Sequence, residues 1–132
     1  MIVLDASAMV SLLTGEDDAD DLADRLAKDA ARFTSPITIF ETAAALMRKR
    51  GCDMAEARDL IDRFLVVASV RVAPIGAHEG EMALTAFDRF GKGRHPAALN
   101  LGDCFAYATA KTLGARLLFK GEDFPLTDVE AA

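Results

Sequence analysis

The chain has 132 residues, of which 52% are hydrophobic and only two are cysteines, so it can bury an ordinary core without disulfide bonds. Its net charge of −6 argues against a protein that coats nucleic acid through a uniformly basic surface. No apolar run reaches the roughly 18 residues that a transmembrane helix needs, and no secretion signal follows Met1. We therefore expect one domain over residues 1–132, in the cytoplasm and away from membranes.

Short apolar runs alternate with stretches of helical periodicity along the whole chain. This alternation predicts crossover units, and hence an α/β fold with a mostly parallel central sheet. The strand candidates are Ile2 to Leu4, Arg32 to Thr34, Val70 to Ile75 and Arg116 to Phe119.

The predicted helices have recognisable starts, ends and faces. The acidic run from Glu16 to Asp24 is typical of a solvated helix face. Ser35 and Pro36 indicate a helix start, and the same helix should end near Gly51 after three basic residues. Later helices are predicted from about Ala77 to Phe90 and from Leu101 onward. Apolar residues at helical spacing predict core-facing stripes in the third and fourth helices, namely Ala57, Leu60, Ile61, Phe64, Leu65, Ala68, Ala83, Leu84 and Phe87.

Four acidic residues stand at the edges of these segments. Asp5 follows the first predicted strand and Asp123 follows the last, while Glu41 and Asp103 lie in early turns of predicted helices. In an open parallel sheet the ligand crevice forms beyond the carboxyl ends of the strands, so these acids could face one crevice. Each acid alone could equally be a turn former or a helix-start residue.

Carboxylate oxygens are the ligands that magnesium and manganese prefer. In a phosphodiesterase, such ions hold the phosphate and activate a water molecule, so no side-chain nucleophile is required. Ser7 could orient water or a ligand carboxylate, and Asn100 could form a hydrogen bond near Asp103. Either residue could instead cap a turn or a helix.

Four segments resemble a PIN domain of the VapC toxin family, and in order and spacing they cover nearly the whole chain. They are Ile2–Ala8, Ser35–Glu41, Gly91–Phe105 and Leu117–Phe124. The most specific parts are the stretch from Lys92 to Phe105 and the Gly-Glu-Asp-Phe turn that begins at Gly121.

The resemblance implies a PIN-like α/β/α sandwich and an endoribonuclease that depends on Mg²⁺ or Mn²⁺. It also implies the toxin of a type II toxin–antitoxin pair, a cognate antitoxin that blocks the active site, and a homodimer. The family's four acidic positions map onto Asp5, Glu41, Asp103 and Asp123. Some relatives carry another polar or acidic residue where this chain has Gly121, so the sequence does not specify how a second metal ion would be held.

Positive charge gathers at Arg48-Lys49-Arg50 and again at Lys92 and Arg94. Under the resemblance, Arg48, Lys92 and Arg94 become candidates for contacts with the RNA backbone, although each could simply be a solvated surface residue. Two other functions stay open at this point. One is a metal-dependent nuclease of DNA or of structured RNA in processing, and the other is a PIN-like binding module with little turnover.

Overall fold

The computed structural model describes residues 1–132, in which six α-helices surround four short strands. The strands are β1 (Ile2–Leu4), β2 (Arg32–Thr34), β3 (Val70–Val72) and β4 (Arg116–Leu118). The helices are α1 (Ala6–Thr14), α2 (Ala19–Ala27), α3 (Pro36–Arg50), α4 (Met54–Val67), α5 (Ala77–Phe90) and α6 (Leu101–Leu113). A single 3₁₀ turn over Phe124–Leu126 follows β4.

The strands form one sheet in the order β3-β2-β1-β4, and every neighbouring pair is parallel. Alternate residues of the strands enter two separate cores. Val3 and Leu117 pack on the side of α5 and α6, whereas Ile2, Leu4 and Leu118 pack on the side of α1, α3 and α4. The molecule is therefore a three-layer α/β/α structure, and the predicted fold class is confirmed.

Helix boundaries follow the local signals in the sequence. The Ser35 hydroxyl accepts a hydrogen bond from the Thr38 backbone N–H at 3.2 Å, Pro36 occupies the first turn, and Gly51 ends α3. The predicted limits of α5, at Ala77 and Phe90, match those observed. Half of the acidic run, namely Asp20, Asp21 and Asp24, lies on the short helix α2, and the other half precedes it; α2 buries only Leu22 and Leu26.

Three predictions about the apolar segments were wrong in detail. Strand β4 ends at Leu118, one residue before the predicted Phe119. Strand β3 ends at Val72 and does not continue to Ile75, because the chain soon reaches Pro74, which has no N–H to donate to the sheet. Three residues of the predicted core stripes are instead substantially exposed: Leu60 at 40%, Leu84 at 66% and Phe87 at 40%. On α5 the sheet side is filled by Ala83, Ala86 and Phe90.

Every helix is too short or too polar to cross a lipid bilayer. All four strands run in parallel, so their carboxyl ends lie at one edge of the sheet. Asp5 follows β1 at that edge, and the turn that carries Asp123 follows β4.

Candidate active site

Asp5 lies directly beyond β1 and is only 4% exposed. Its Oδ2 accepts hydrogen bonds from the backbone N–H of Ser7 at 3.1 Å and from the Ser7 hydroxyl at 2.6 Å, so Asp5 also caps α1. The same hydroxyl accepts a hydrogen bond from the Lys120 backbone N–H at 3.0 Å. Ser7 thus connects the carboxylate at the end of β1 to the segment that follows β4. Burial raises the pKa of Asp5 more than the Ser7 bonds lower it.

Glu41 reaches from α3 to the first turn of α6. An added Cβ at Gly102 would overlap the Glu41 carboxylate, so this carboxylate lies directly against the α6 backbone. Burial raises the pKa of Glu41 to about 7, with smaller contributions from the negative charges of Asp5 and Asp103 and no opposing hydrogen bond. This half-buried carboxylate therefore lacks both a cation and a protein donor.

Asp103 is the third residue of α6 and takes part in a reciprocal cap with Asn100. The Asp103 backbone N–H donates to Asn100 Oδ1 at 2.9 Å, and the Asn100 backbone N–H donates to Asp103 Oδ2 at 3.1 Å. Burial raises the pKa of Asp103 to about 6. The hydrogen bond from the Asn100 backbone lowers this pKa, and the negative charges of Asp5 and Asp123 raise it further. Asn100 is thus a helix cap that also fixes the orientation of Asp103.

Asp123 lies on the exposed turn just before Phe124–Leu126. Electrostatic repulsion links all four acids. The negative charges of Asp5 and Asp103 help to raise the pKa of Glu41, and those of Asp5 and Asp123 help to raise the pKa of Asp103. The structure therefore brings three carboxylates into one neighbourhood and places the fourth within range of Asp103. No group of three or more acidic, histidine or cysteine side chains is yet arranged as a ready metal site.

The chemistry of this group fits a hard divalent cation. Two carboxylates about 4 Å apart repel by roughly 4 kcal/mol at an effective dielectric of 20, and a cation would offset that repulsion. All the candidate donors are oxygen atoms, which suits magnesium or manganese. Cys104 lies next to Asp103 in the chain but is buried, and burial raises the pKa of its thiol to about 11, so it is a poor metal ligand.

A cavity of about 540 Å³ lies beside Glu41. Of the three basic residues that we predicted to contact RNA, Arg48 lines this cavity, whereas Lys92 and Arg94 do not. Arg94 instead pairs with Asp88 at 3.3 Å, and its guanidinium lies 5.7 Å from the centre of the Phe87 ring.

The cavity also contains residues that sequence reasoning missed. Phe40, Lys49, Lys120 and Glu16 all contribute to its wall. Signals for two of them were present: Lys49 lies within the basic run at the end of α3, and Lys120 lies two residues beyond β4. Nothing in the sequence connects Glu16 to either lysine.

Comparison with known proteins places this arrangement in context. The family model described as "PIN domain" matches residues 2–130. A protein named Ribonuclease VapC from Mycolicibacterium smegmatis is 45% identical over 130 residues, which cover 98% of each chain. A VapC ribonuclease from Rhizobium meliloti is 42% identical over 141 aligned positions, covering 98% of this chain and 99% of the relative.

Two solved structures share the fold. The crystal structure of Mycobacterium tuberculosis VapC20, described as a toxin that cleaves the sarcin–ricin loop, superimposes with a TM-score of 0.77 at 22% identity, covering 100% of this chain and 98% of that one. A toxin–antitoxin complex from Klebsiella pneumoniae gives a TM-score of 0.68 at 16% identity, covering 94% of this chain and 90% of that one.

Proposed function

The chain belongs to the PIN-domain family, among the VapC ribonucleases, and from that membership we propose that it is a metal-dependent endoribonuclease and the toxin of a toxin–antitoxin pair. The observation that carries the proposal is the group of partly or fully buried carboxylates formed by Asp5, Glu41 and Asp103 beyond the strand ends, with Asp123 beside it. Buried carboxylates that repel one another and lack a protein cation favour a bound divalent ion.

We infer that Asp5, Glu41, Asp103 and Asp123 hold Mg²⁺ or Mn²⁺. The chemistry that such an ion supplies is polarisation of the scissile phosphate and activation of a water molecule. The residues of the chain fix the geometry of the site. Ser7 holds the Asp5 carboxylate, Asn100 holds that of Asp103, and the backbone at Gly102 leaves the space that the Glu41 carboxylate occupies.

RNA is the substrate and a cognate antitoxin is the inhibitor under this proposal. The relatives named as ribonucleases support the first point, and the solved toxin–antitoxin complex supports the second. Lys92 and Arg94 stay predicted RNA contacts outside the cavity. A homodimer also stays a prediction. The exposed side chains of Leu84, Phe87 and Leu101 form an apolar surface. Polar substitutions there would test the homodimer, with molecular mass in solution as the measurement.

The test uses protein that has been purified free of antitoxin and incubated with single-stranded RNA. We expect internal cleavage with Mg²⁺ or Mn²⁺, none in excess chelator, and none with Asp103→Asn. A DNA strand of the same sequence separates this function from that of a DNA nuclease. RNA binding without cleavage under every metal condition would identify a binding module and overturn the proposal.

A further inference from the structure

One carboxylate bridges two lysines at the wall of the cavity beside Glu41. Lys49 Nζ lies 2.9 Å from Glu16 Oε1, and Lys120 Nζ lies 2.6 Å from Glu16 Oε2. Each oxygen of the carboxylate therefore faces a different ammonium group. The two lysines come from separate elements, since Lys49 is near the end of α3 and Lys120 follows β4.

This arrangement can open without disturbing the core. The lysine side chains are 46% and 43% exposed, and that of Glu16 is 24% exposed. Ion pairs at such exposure are individually weak and are screened by salt. Glu16 lies in the connection between α1 and α2, outside both helices. The phosphates of a bound polyanion can therefore exchange with the Glu16 carboxylate.

We propose that Lys49 and Lys120 form a phosphate subsite for the RNA strand next to the cleavage site, and that Glu16 occupies this subsite until RNA binds. A carboxylate that accepts hydrogen bonds from two ammonium groups resembles a phosphate in charge and in the positions of its oxygens. The inference rests on the proposed function, because it identifies where the same substrate extends beyond the acids.

The subsite has a defined position relative to those acids. The Lys120 backbone N–H binds the Ser7 hydroxyl, which in turn binds the Asp5 carboxylate. Glu41 lines the same cavity as Lys49 and Lys120. A strand whose scissile phosphate lies at a metal ion held by Asp5 and Glu41 can thus extend past Glu41 along the cavity wall that carries the two lysines.

The neighbouring aromatic residue favours RNA over an acidic peptide as the occupant. Phe40 lines the cavity and is 73% exposed. Exposed aromatic rings beside cationic side chains are the combination with which proteins bind single-stranded nucleic acid, because the rings stack on bases and the cations follow the backbone.

Binding can be measured without cleavage in an Asp103→Asn background, with a fluorescent single-stranded RNA over a range of salt concentrations. In that background Glu16→Gln should tighten RNA binding about threefold to tenfold, because Lys49 loses its ion pair and Lys120 keeps only its longer contact with Asp18, at 3.5 Å. Lys49→Gln/Lys120→Gln should weaken binding and flatten the salt dependence by roughly 0.7 in log–log slope for each phosphate that no longer meets a lysine. Adding Glu16→Gln to the double-lysine variant should have no further effect.

Glu81→Gln provides the matched control, since it removes the same charge from an exposed position on α5 that forms no ion pair. It should change RNA affinity less than twofold. Polyglutamate serves as a second probe, and we expect Glu16→Gln to improve its binding less than that of RNA.

Three results would overturn the inference: an equal response of Glu16→Gln and Glu81→Gln, unchanged affinity and salt slope in the double-lysine variant, or an equal gain for polyglutamate and RNA. The lysine variant decides the matter even if Glu16→Gln is unstable. Cleavage by the otherwise unaltered protein is measured separately, so loss of this subsite and loss of the ribonuclease function give different results.

Discussion

The carboxylate of Glu41 occupies the space that a side chain at position 102 would fill. The two residues belong to α3 and α6, so a contact between distant segments requires glycine in the first turn of a helix. In an ordinary helix, alanine would be the more stable choice. The position of the Glu41 carboxylate explains the glycine. Because Gly102 has no side chain, the carboxylate can lie within electrostatic range of Asp103 and Asp5.

Gly102→Ala should therefore displace Glu41 and reduce RNA cleavage while the protein stays folded. Small misplacements of catalytic groups can cost on the order of 100-fold in rate. We expect a loss of this size in initial cleavage rate, together with a smaller rise in melting temperature on addition of Mg²⁺ or Mn²⁺.

Gly80→Ala is the control for Gly102→Ala. Gly80 lies inside α5, and an added Cβ there meets no atom within 4 Å. This variant should be more stable by roughly 0.5–1 kcal/mol and should cleave RNA normally. If Gly102→Ala were also more stable and cleaved RNA normally, the position of the Glu41 carboxylate would not depend on the absence of a side chain at residue 102.

Asp5→Asn should separate stability from metal binding. Asparagine is also a good helix cap, so the variant should be at least as stable as the wild type without metal, because a buried negative charge has been removed. It should gain less stability from Mg²⁺ or Mn²⁺ and should cleave no RNA. Thermal unfolding across a metal titration measures both effects, and equal metal-induced shifts in the two proteins would exclude Asp5 as a ligand.

The stability of the metal-free protein should fall as pH rises through the pKa values of Glu41 and Asp103. Folding raises these pKa values from 4.5 to about 7 and from 3.8 to about 6, so between pH 4 and 7 the folded state binds more protons than the unfolded state. Proton linkage then makes the free energy of unfolding decrease with pH across this window. Comparison with Glu41→Gln isolates one group, and its stability advantage over wild type should grow from pH 5 to pH 8.

Glu81→Gln again controls for the change in net charge in that pH series. A constant difference between Glu41→Gln and wild type at every pH would contradict the raised pKa of Glu41. Magnesium or manganese added at pH 8 should reduce the advantage of Glu41→Gln, because the metal stabilises the protein with the intact carboxylate more than the variant that lacks it.

Phe40→Ala should weaken RNA binding with little effect on stability. The ring is 73% exposed, so its removal opens no internal cavity. Base stacking on an aromatic side chain is worth about 1–3 kcal/mol, and we expect a loss of affinity within this range. Phe40→Tyr retains the stacking surface and should bind like the wild type. Equal affinity of the alanine and tyrosine variants would remove Phe40 from the RNA-binding surface.

The elements with strong local signals could be predicted from the sequence. Strands β1 and β2 match their predicted limits, and α3 begins and ends where Ser35, Pro36 and Gly51 indicated. These features depend on caps and apolar runs within a few residues of one another. The early end of β3 was not anticipated, although the proline close by supplies its physical reason.

Features that depend on tertiary packing could not be predicted. Helical periodicity indicates an apolar face on α5. It does not reveal that Leu84, on that face, is left exposed because no other part of the protein covers it. The ion pair between Glu16 and Lys120 joins positions 104 residues apart. For the site, the sequence predicted four acids, and the structure places Asp5, Glu41 and Asp103 close enough to affect one another's charge, with Asp123 near Asp103. The contact of Glu41 with the α6 backbone came from the structure alone, and the role of the four acids in metal binding and catalysis stays a prediction.

The turn that carries Asp123 limits which side chains can be introduced beside the four acids. Gly121 has a φ of 110°, a backbone conformation that residues with a side chain rarely adopt. A substitution that introduced a fifth acid there would impose backbone strain before any benefit from an additional ligand. A variant with an acid at this position would need a differently shaped turn to avoid that strain. The backbone at Gly121 thus disfavours an additional acidic ligand at this position of the turn.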